Sequence, residues 1–291
     1  MRLAAALLGL CIASTPSLAA EQSTSARHSL WSLKGRTNTV YLLGSVHFLS
    51  ESEQLPAVVD EAYKDAESLV MEIDMDDLDP LEMQQTTLEL GMLPADQTLE
   101  QQLGAPTYAK VAAKAREVGV DPELLNRFRP WFAAMTLVQL HLMKMGLDPN
   151  AGVERRLTTR AGADGKPIQG LETLRQQLGM LAGLPDAQQR EFLLYSVEDT
   201  ERATREIDAL LAAWRRGDTA ALAKLLEEGF EEYPDLYRPL TIDRNRKWIA
   251  DIEALLDDRE DYLIVVGTLH LVGRQSVIEL LEQKGHRVRQ H

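Results

Sequence analysis

The alternation of apolar and polar positions divides the chain into two similar end segments and a long middle. Ser29 to Lys34 (SLWSLK) and Thr39 to Leu43 (TVYLL) run apolar and β-branched on either side of Gly35-Arg36-Thr37-Asn38, which predicts a β-hairpin. Gly44-Ser45-Val46-His47 follows directly. Helical spacing over Pro56 to Glu67 and a short apolar run, Ser68 to Ile73 (SLVMEI), then predict a helix and a strand. The C-terminal end repeats that order, with a buried-strand run at Tyr262 to Val266 (YLIVV), the turn Gly267-Thr268-Leu269-His270, a helix over Ser276 to Lys284 and a last strand over His286 to Arg289. Two copies fall short of a solenoid. The expected fold is α/β: one mixed sheet built from the N- and C-terminal segments, as two strand–Gly-x-x-His–helix–strand units containing parallel strands, with a large helical insertion.

The insertion is expected over about 75–247, where helical patterns dominate. Asp186 reads as an N-cap with Gln189 three residues later, and Leu193, Val197, Ile207, Leu211 and Trp214 keep helical spacing until Gly217. Pro167-Ile168-Gln169-Gly170 interrupts the helices with a β signal that can return to the sheet. Pro130 to Gly146 is apolar on nearly all sides, so it is a buried helix, a subunit contact for an oligomer or a groove wall, with burial the favoured reading. His141 inside it reads as a packing residue rather than a ligand.

Residues 1–20 (Arg2, an apolar run from Leu3 to Ile12, Pro16 and a small-residue end at Ala19-Ala20) have the layout of a secretory signal peptide. The run is about half the ~20 residues of a spanning helix, and Leu10 before Cys11 argues against lipidation. Residues 21–291 are then expected to form a single α/β domain, periplasmic or secreted, with no stable membrane anchor after cleavage. That mature chain would hold no cysteine, which excludes disulfides, thiol catalysis and thiolate metal sites. The full chain carries 31 Lys+Arg against 45 Asp+Glu, a net charge of −14. Nucleic acid and anionic lipid are poor partners for such a surface.

A strand that ends in glycine and delivers a histidine three residues on places the imidazole at the carboxyl edge of the sheet, where α/β proteins site ligands. Two such turns, from opposite ends of a chain with only six histidines, are expected to meet across one crevice, with His47 and His270 within about 8 Å. Glu72 ends an otherwise apolar strand, where a carboxylate is costly unless it is paired or bound to a cation. Two imidazoles and a carboxylate form a ligand set for a divalent metal; they are equally an acid/base set needing none. Spacing does not decide between these, because neither His-Glu-x-x-His nor Gly-x-Ser-x-Gly is present.

Five segments, Tyr41 to His47, Val70 to Asp74, Gly170-Leu171-Glu172-Thr173 with Gln176, Arg244-Asn245, and Val265 to Gly273, together resemble the ordered signature of the TraB/GumN family. That family includes the TIKI metalloproteases, and its fold is similar to those of erythromycin esterases and ChaN-like haem-binding proteins. The resemblance spans about 29–289. It implies one site with two Gly-x-x-His motifs (Gly44 and His47, Gly267 and His270), acidic residues and an Arg-Asn pair, and divalent-metal-dependent hydrolysis in the TIKI branch. By motif match His47, His270 and Glu72 become candidate metal ligands, and Glu72, Glu172, Arg244 and Asn245 candidate catalytic residues, the last two as oxyanion donors. The leading expectation is a hydrolase of the cell envelope, of peptidase class, dependent on Mn²⁺, Zn²⁺ or Co²⁺ and acting on a peptide or protein. The alternatives are a non-catalytic metal- or haem-binding protein of the same fold, and a scaffold that docks a partner through 130–146.

Overall fold

A computed structural model describes residues 27–74, 76–198, 200–231 and 234–291. The segment read as a signal peptide lies outside them. Six strands form one mixed sheet: β1 (Leu30–Lys34), β2 (Thr39–Ser45), β3 (Ser68–Ile73), β4 (Ile168–Glu172), β5 (Tyr262–Gly267) and β6 (Val288–Gln290), in the order β4-β3-β5-β2-β1-β6. The run β4, β3, β5, β2 is parallel, whereas β1 is antiparallel to both β2 and β6. The chain thus builds its sheet from both ends, as the patterning predicts. Central β5 carries the longest apolar run because helices and neighbouring strands cover it entirely: Leu263, Ile264 and Val265 have no exposed surface.

Three segments fill in the outline that the patterning predicts. The Pro167–Gly170 signal does return to the sheet, as edge strand β4, so the insertion contributes a strand as well as helices. The last strand covers three residues beginning at Val288 and pairs with β1 rather than extending the parallel run. The pattern from Asp186 to Gly217 is helical over Asp186–Glu198 and Thr200–Arg215; the amide of Gln189 turns back to the carbonyls of Ala182 and Leu184.

The insertion has a core of its own. Leu99, Val111, Leu125, Ala133, Ala134, Leu137 and Leu193 form a cluster separate from the one around the sheet. The helix Pro130–Lys144 packs against Asp186–Glu198 and buries Trp131, Ala133, Ala134 and Leu137, which is the burial reading of that apolar segment. Only scattered side chains such as Met135 and Met143 remain exposed on it. His141 is buried there, near Lys114 Nζ (3.5 Å) and Thr204 Oγ1 (3.4 Å), and burial lowers its pKa. No helix among the described residues is long and apolar enough to cross a membrane.

Candidate functional site

Strand register fixes which residues share the carboxyl edge of the sheet. Ser45 lies opposite Gly267, Met71 opposite Val265, and Ile73 opposite Glu172. The four parallel strands therefore end nearly level, and each hands a functional group to the same edge: His47 beyond β2, Glu72 within β3, Glu172 at the end of β4, and His270 beyond β5. The motif glycines are needed for close approach. A Cβ on Gly44 would stand 2.6 Å from Thr268 Oγ1, inside van der Waals contact with the opposite turn. A Cβ on Gly267 would lie 3.3 Å from Glu72 Oε1, 3.6 Å from His270 Cδ2 and 4.0 Å from His47 Nε2. One point on the backbone is thus within reach of all three side chains, and the sum of the two imidazole distances keeps those rings inside the expected spacing of about 8 Å.

Arg244 ties the centre together. It comes from the first turn of the helix Asp243–Leu256 and is almost fully buried. Its Nη2 donates to Glu72 Oε2 (2.5 Å), its Nε to both oxygens of Glu172 (3.1 Å each), and its Nη1 to His270 Nε2 (3.0 Å). Burial works against the guanidinium charge, but the two carboxylates outweigh it and raise the Arg244 pKa. Trp248, one turn further along, donates to Glu172 Oε1 (3.2 Å) and packs its ring against His270, with centroids 4.7 Å apart.

Because arginine offers only donors, His270 Nε2 must be the acceptor of that bond, so its Nδ1–H donates to Asn245 Oδ1 (2.6 Å). Burial pushes the His270 pKa down to about 4, which leaves the ring neutral at physiological pH. Asn245 has no exposed surface, and its amide nitrogen donates to the Gln275 carbonyl (2.8 Å). It therefore orients His270, and its N–H groups do not face the crevice as an oxyanion donor would. Gln275 is the one non-glycine residue with positive φ (59°) among the described residues, a conformation of the kind held under strain at functional sites.

Glu72 and His47 are the groups open to the crevice. Burial favours the neutral Glu72 carboxyl, but the attraction of His270, Arg244 and His47, together with the Gly267 N–H (2.7 Å), brings its pKa to about 2. With His270 neutral above about 4, the charges of Arg244 and His47 and the Gly267 N–H are the contributions that persist at neutral pH. Gln177 Nε2 completes the Glu72 shell at 2.9 Å. On the other side of the centre, the Glu154 carboxylate lies 2.7 Å from His47 Nδ1 and outweighs the desolvation of the ring, raising the His47 pKa to about 9. The His47 side chain is still 64% exposed, so water screens part of this attraction. A cleft of about 390 Å³ opens beside both groups, walled by Phe48, Met71, Ile73 and Pro149. A wider recess of about 800 Å³ near Leu147 and Asp148 holds none of the converging groups.

These residues, as folded, do not fit a shared divalent cation. A metal on His270 would need the Nε2 lone pair that Arg244 engages, and Glu72 already gives one oxygen to that guanidinium and accepts the Gly267 N–H on the other. His47 stands protonated beside Glu154, whereas ligation requires a neutral ring. Glu72, Glu172 and His270 are instead gathered around a resident guanidinium. Among the described residues no group of three or more His, Cys, Asp or Glu side chains is arranged to hold a metal ion.

Sequence reasoning placed His47, Glu72, Glu172, Arg244, Asn245 and His270 together, and the fold brings all six to one edge. It passed over Ser45, Glu154, Gln177 and Trp248. Gln176, which belongs to the quoted motif, is used up in the capping box with Thr173 that starts the helix Leu174–Ala182, and this aims its neighbour Gln177 at Glu72.

No solved structure matches the chain. Among curated proteins it is 26% identical over 246 residues to "Uncharacterized protein YbaP" of Escherichia coli (strain K12), covering 83% of this chain and 87% of that protein, and it matches the YbaP of Shigella flexneri equally well. An "Uncharacterized protein" of Treponema pallidum (strain Nichols) is 22% identical over 273 residues, covering 87% of this chain and 80% of that one. The model of the TraB/PrgY/gumN family matches residues 29–290, which takes in every strand and every converging side chain, and the chain belongs to that family.

Proposed function

We propose that the chain is a hydrolase of the cell envelope, acting on peptide bonds, with the Glu72 carboxylate as its base and the His47 imidazolium as its acid. The observation that carries this reading is the convergence around Gly267 of two cleft-facing groups whose surroundings push them in opposite directions, Glu72 ionised and His47 protonated. Such a separation is how one site supplies both halves of acid/base catalysis near neutral pH. Amide hydrolysis requires a water that loses a proton as it attacks the carbonyl carbon, a donor for the developing oxyanion, and a proton for the departing nitrogen. Glu72 takes the first proton. His47 Nε2–H, facing the same space, stabilises the oxyanion and then protonates the amine. Arg244 holds Glu72 ionised and fixed in place, and His270 and Glu172 hold Arg244.

The apolar walls of the adjoining cleft suit a side chain flanking the scissile bond, and the resemblance to a family with a peptidase branch supports the substrate class. Envelope location rests on the export pattern of residues 1–20. The test is cleavage of a mixed peptide library by the purified protein, followed as a function of pH. Cleavage is expected to be sustained near neutrality and to decline as pH rises through about 9, where His47 loses its proton. Stability follows the same sign: the raised His47 contributes fully below about 6.5 and loses its contribution as pH rises through about 9, while the depressed Glu72 contributes above about 4.5 and loses its contribution as pH falls through about 2. A rate still climbing above pH 10 would remove His47 as the acid, and no cleavage of any peptide would remove the peptidase reading.

A further inference from the structure

We propose that Glu154 is the positioning residue that aims His47, delivered by a Gly152-Val153-Glu154 turn built against the Gly44–His47 turn. Three independent contacts make the docking. The Val153 N–H donates to the Val46 carbonyl (3.1 Å). A Cβ at Gly152 would overlap the His47 carbonyl oxygen, so the two backbones touch where only glycine fits. Glu154, in the first turn of the helix Val153–Asp164, accepts on its Oε1 from both Ser45 Oγ and His47 Nδ1.

The consequence is geometric. With Nδ1 held by the carboxylate, the ring cannot rotate freely, and Nε2 is the nitrogen left facing Gly267 and Glu72. A carboxylate behind an imidazole sets its orientation and strengthens it as a proton carrier, as in the histidine–aspartate pair of hydrolytic triads. A first-turn glutamate also interacts favourably with its own helix, but that role does not call for both side-chain donors to come from the Gly-x-x-His turn. Glu154 Oε2, moreover, is shielded from solvent and has no hydrogen-bond partner among the described residues. A buried carboxylate left half-satisfied is unfavourable, and a packing role would be met better by a neutral side chain. The turn extends the site to a segment of the insertion that neither Gly-x-x-His motif contains.

The inference deepens the hydrolase reading, in which His47 is the acid, but its test does not depend on activity. In the ¹⁵N-labelled full chain, an imidazole N–H resonance that disappears in His47→Ala is expected far downfield and protected from exchange with water. Glu154→Ala should abolish that resonance while the backbone amide spectrum stays folded, and Glu154→Gln should keep it but move it upfield, since an amide oxygen still accepts without the charge. If Glu154→Ala fails to fold, the shift in Glu154→Gln decides. In the peptide assay, Glu154→Ala should lower kcat by about 10–100-fold with KM little changed, the size usual for a residue acting through another, and Glu154→Asp should recover part of it. A His47 resonance unchanged in both Glu154→Ala and Glu154→Gln, or no protected imidazole N–H in the wild type, would overturn the assignment. Loss of the resonance without any peptide cleavage would keep Glu154 in this role and reject only the peptidase reading.

Discussion

Arg244→Ala is expected to lose about 3–5 kcal/mol of stability, the size typical of removing one partner from a buried ion pair. The reason lies in what remains. Glu72 and Glu172 have side chains 12% and 7% exposed, and both depend on the one guanidinium between them. Without it, two like charges share a site poor in water, the His270 Nε2 lone pair loses its donor, and Trp248 loses the cation 4.8 Å from its ring. Arg244→Lys should recover only part of the loss, because a single ammonium cannot address two carboxylates and an imidazole from one planar fork. Chemical denaturation of wild type, Arg244→Ala and Arg244→Lys checks this. Equal midpoints for all three would mean that the guanidinium does not organise the site.

Glu72→Gln and His47→Ala are expected to lower kcat by about 10²–10⁴-fold each, the range for removing a general base or acid. They should differ in stability. Glu72 sits inside the charge network, so a neutral amide there leaves the Arg244 charge short of a partner and lowers the melting temperature at any pH above about 4.5. Loss of His47 leaves Glu154 without its charge partner, so it should lower melting at neutral pH and progressively less as pH rises through about 9, where the wild-type ring is itself neutral. His141→Ala, in the separate helical core, should retain full activity in whatever fraction folds. Their effects on kcat are not expected to multiply in the double variant, since acid and base act on the same water and carbonyl.

The parts of this site that can be read from sequence are those carried by strands. SLVMEI and YLIVV announce themselves as buried runs, the first carries Glu72 within it and the second is followed by His270, and parallel pairing makes their ends coincide. Glu154 gives no such signal. It opens a helix in the insertion, where an acidic first-turn residue is ordinary, and its meaning appears only when Gly152 is seen pressed against His47. The exchange of Gln176 for Gln177 has the same origin: the capping box claims one glutamine and helical geometry points the other at Glu72. The role of Arg244 was the hardest to foresee, because an arginine in a helix reads as a surface ion pair until the ends of β3 and β4 are placed on either side of it.

That guanidinium is also where the structure diverges most from the metal centre that the ligand types imply. Its presence against His270 and Glu72 makes a definite statement about which cation organises this edge of the sheet. The most direct measurement is peptide cleavage by the wild-type protein before and after exhaustive chelation, with metal content determined on the same samples and Mn²⁺, Zn²⁺ or Co²⁺ then added back. A site organised by Arg244 predicts an unchanged rate, no stoichiometric metal and no gain on addition. Activity that vanishes on chelation and returns with one of these ions would contradict the account and require Arg244 to leave His270 when the metal binds.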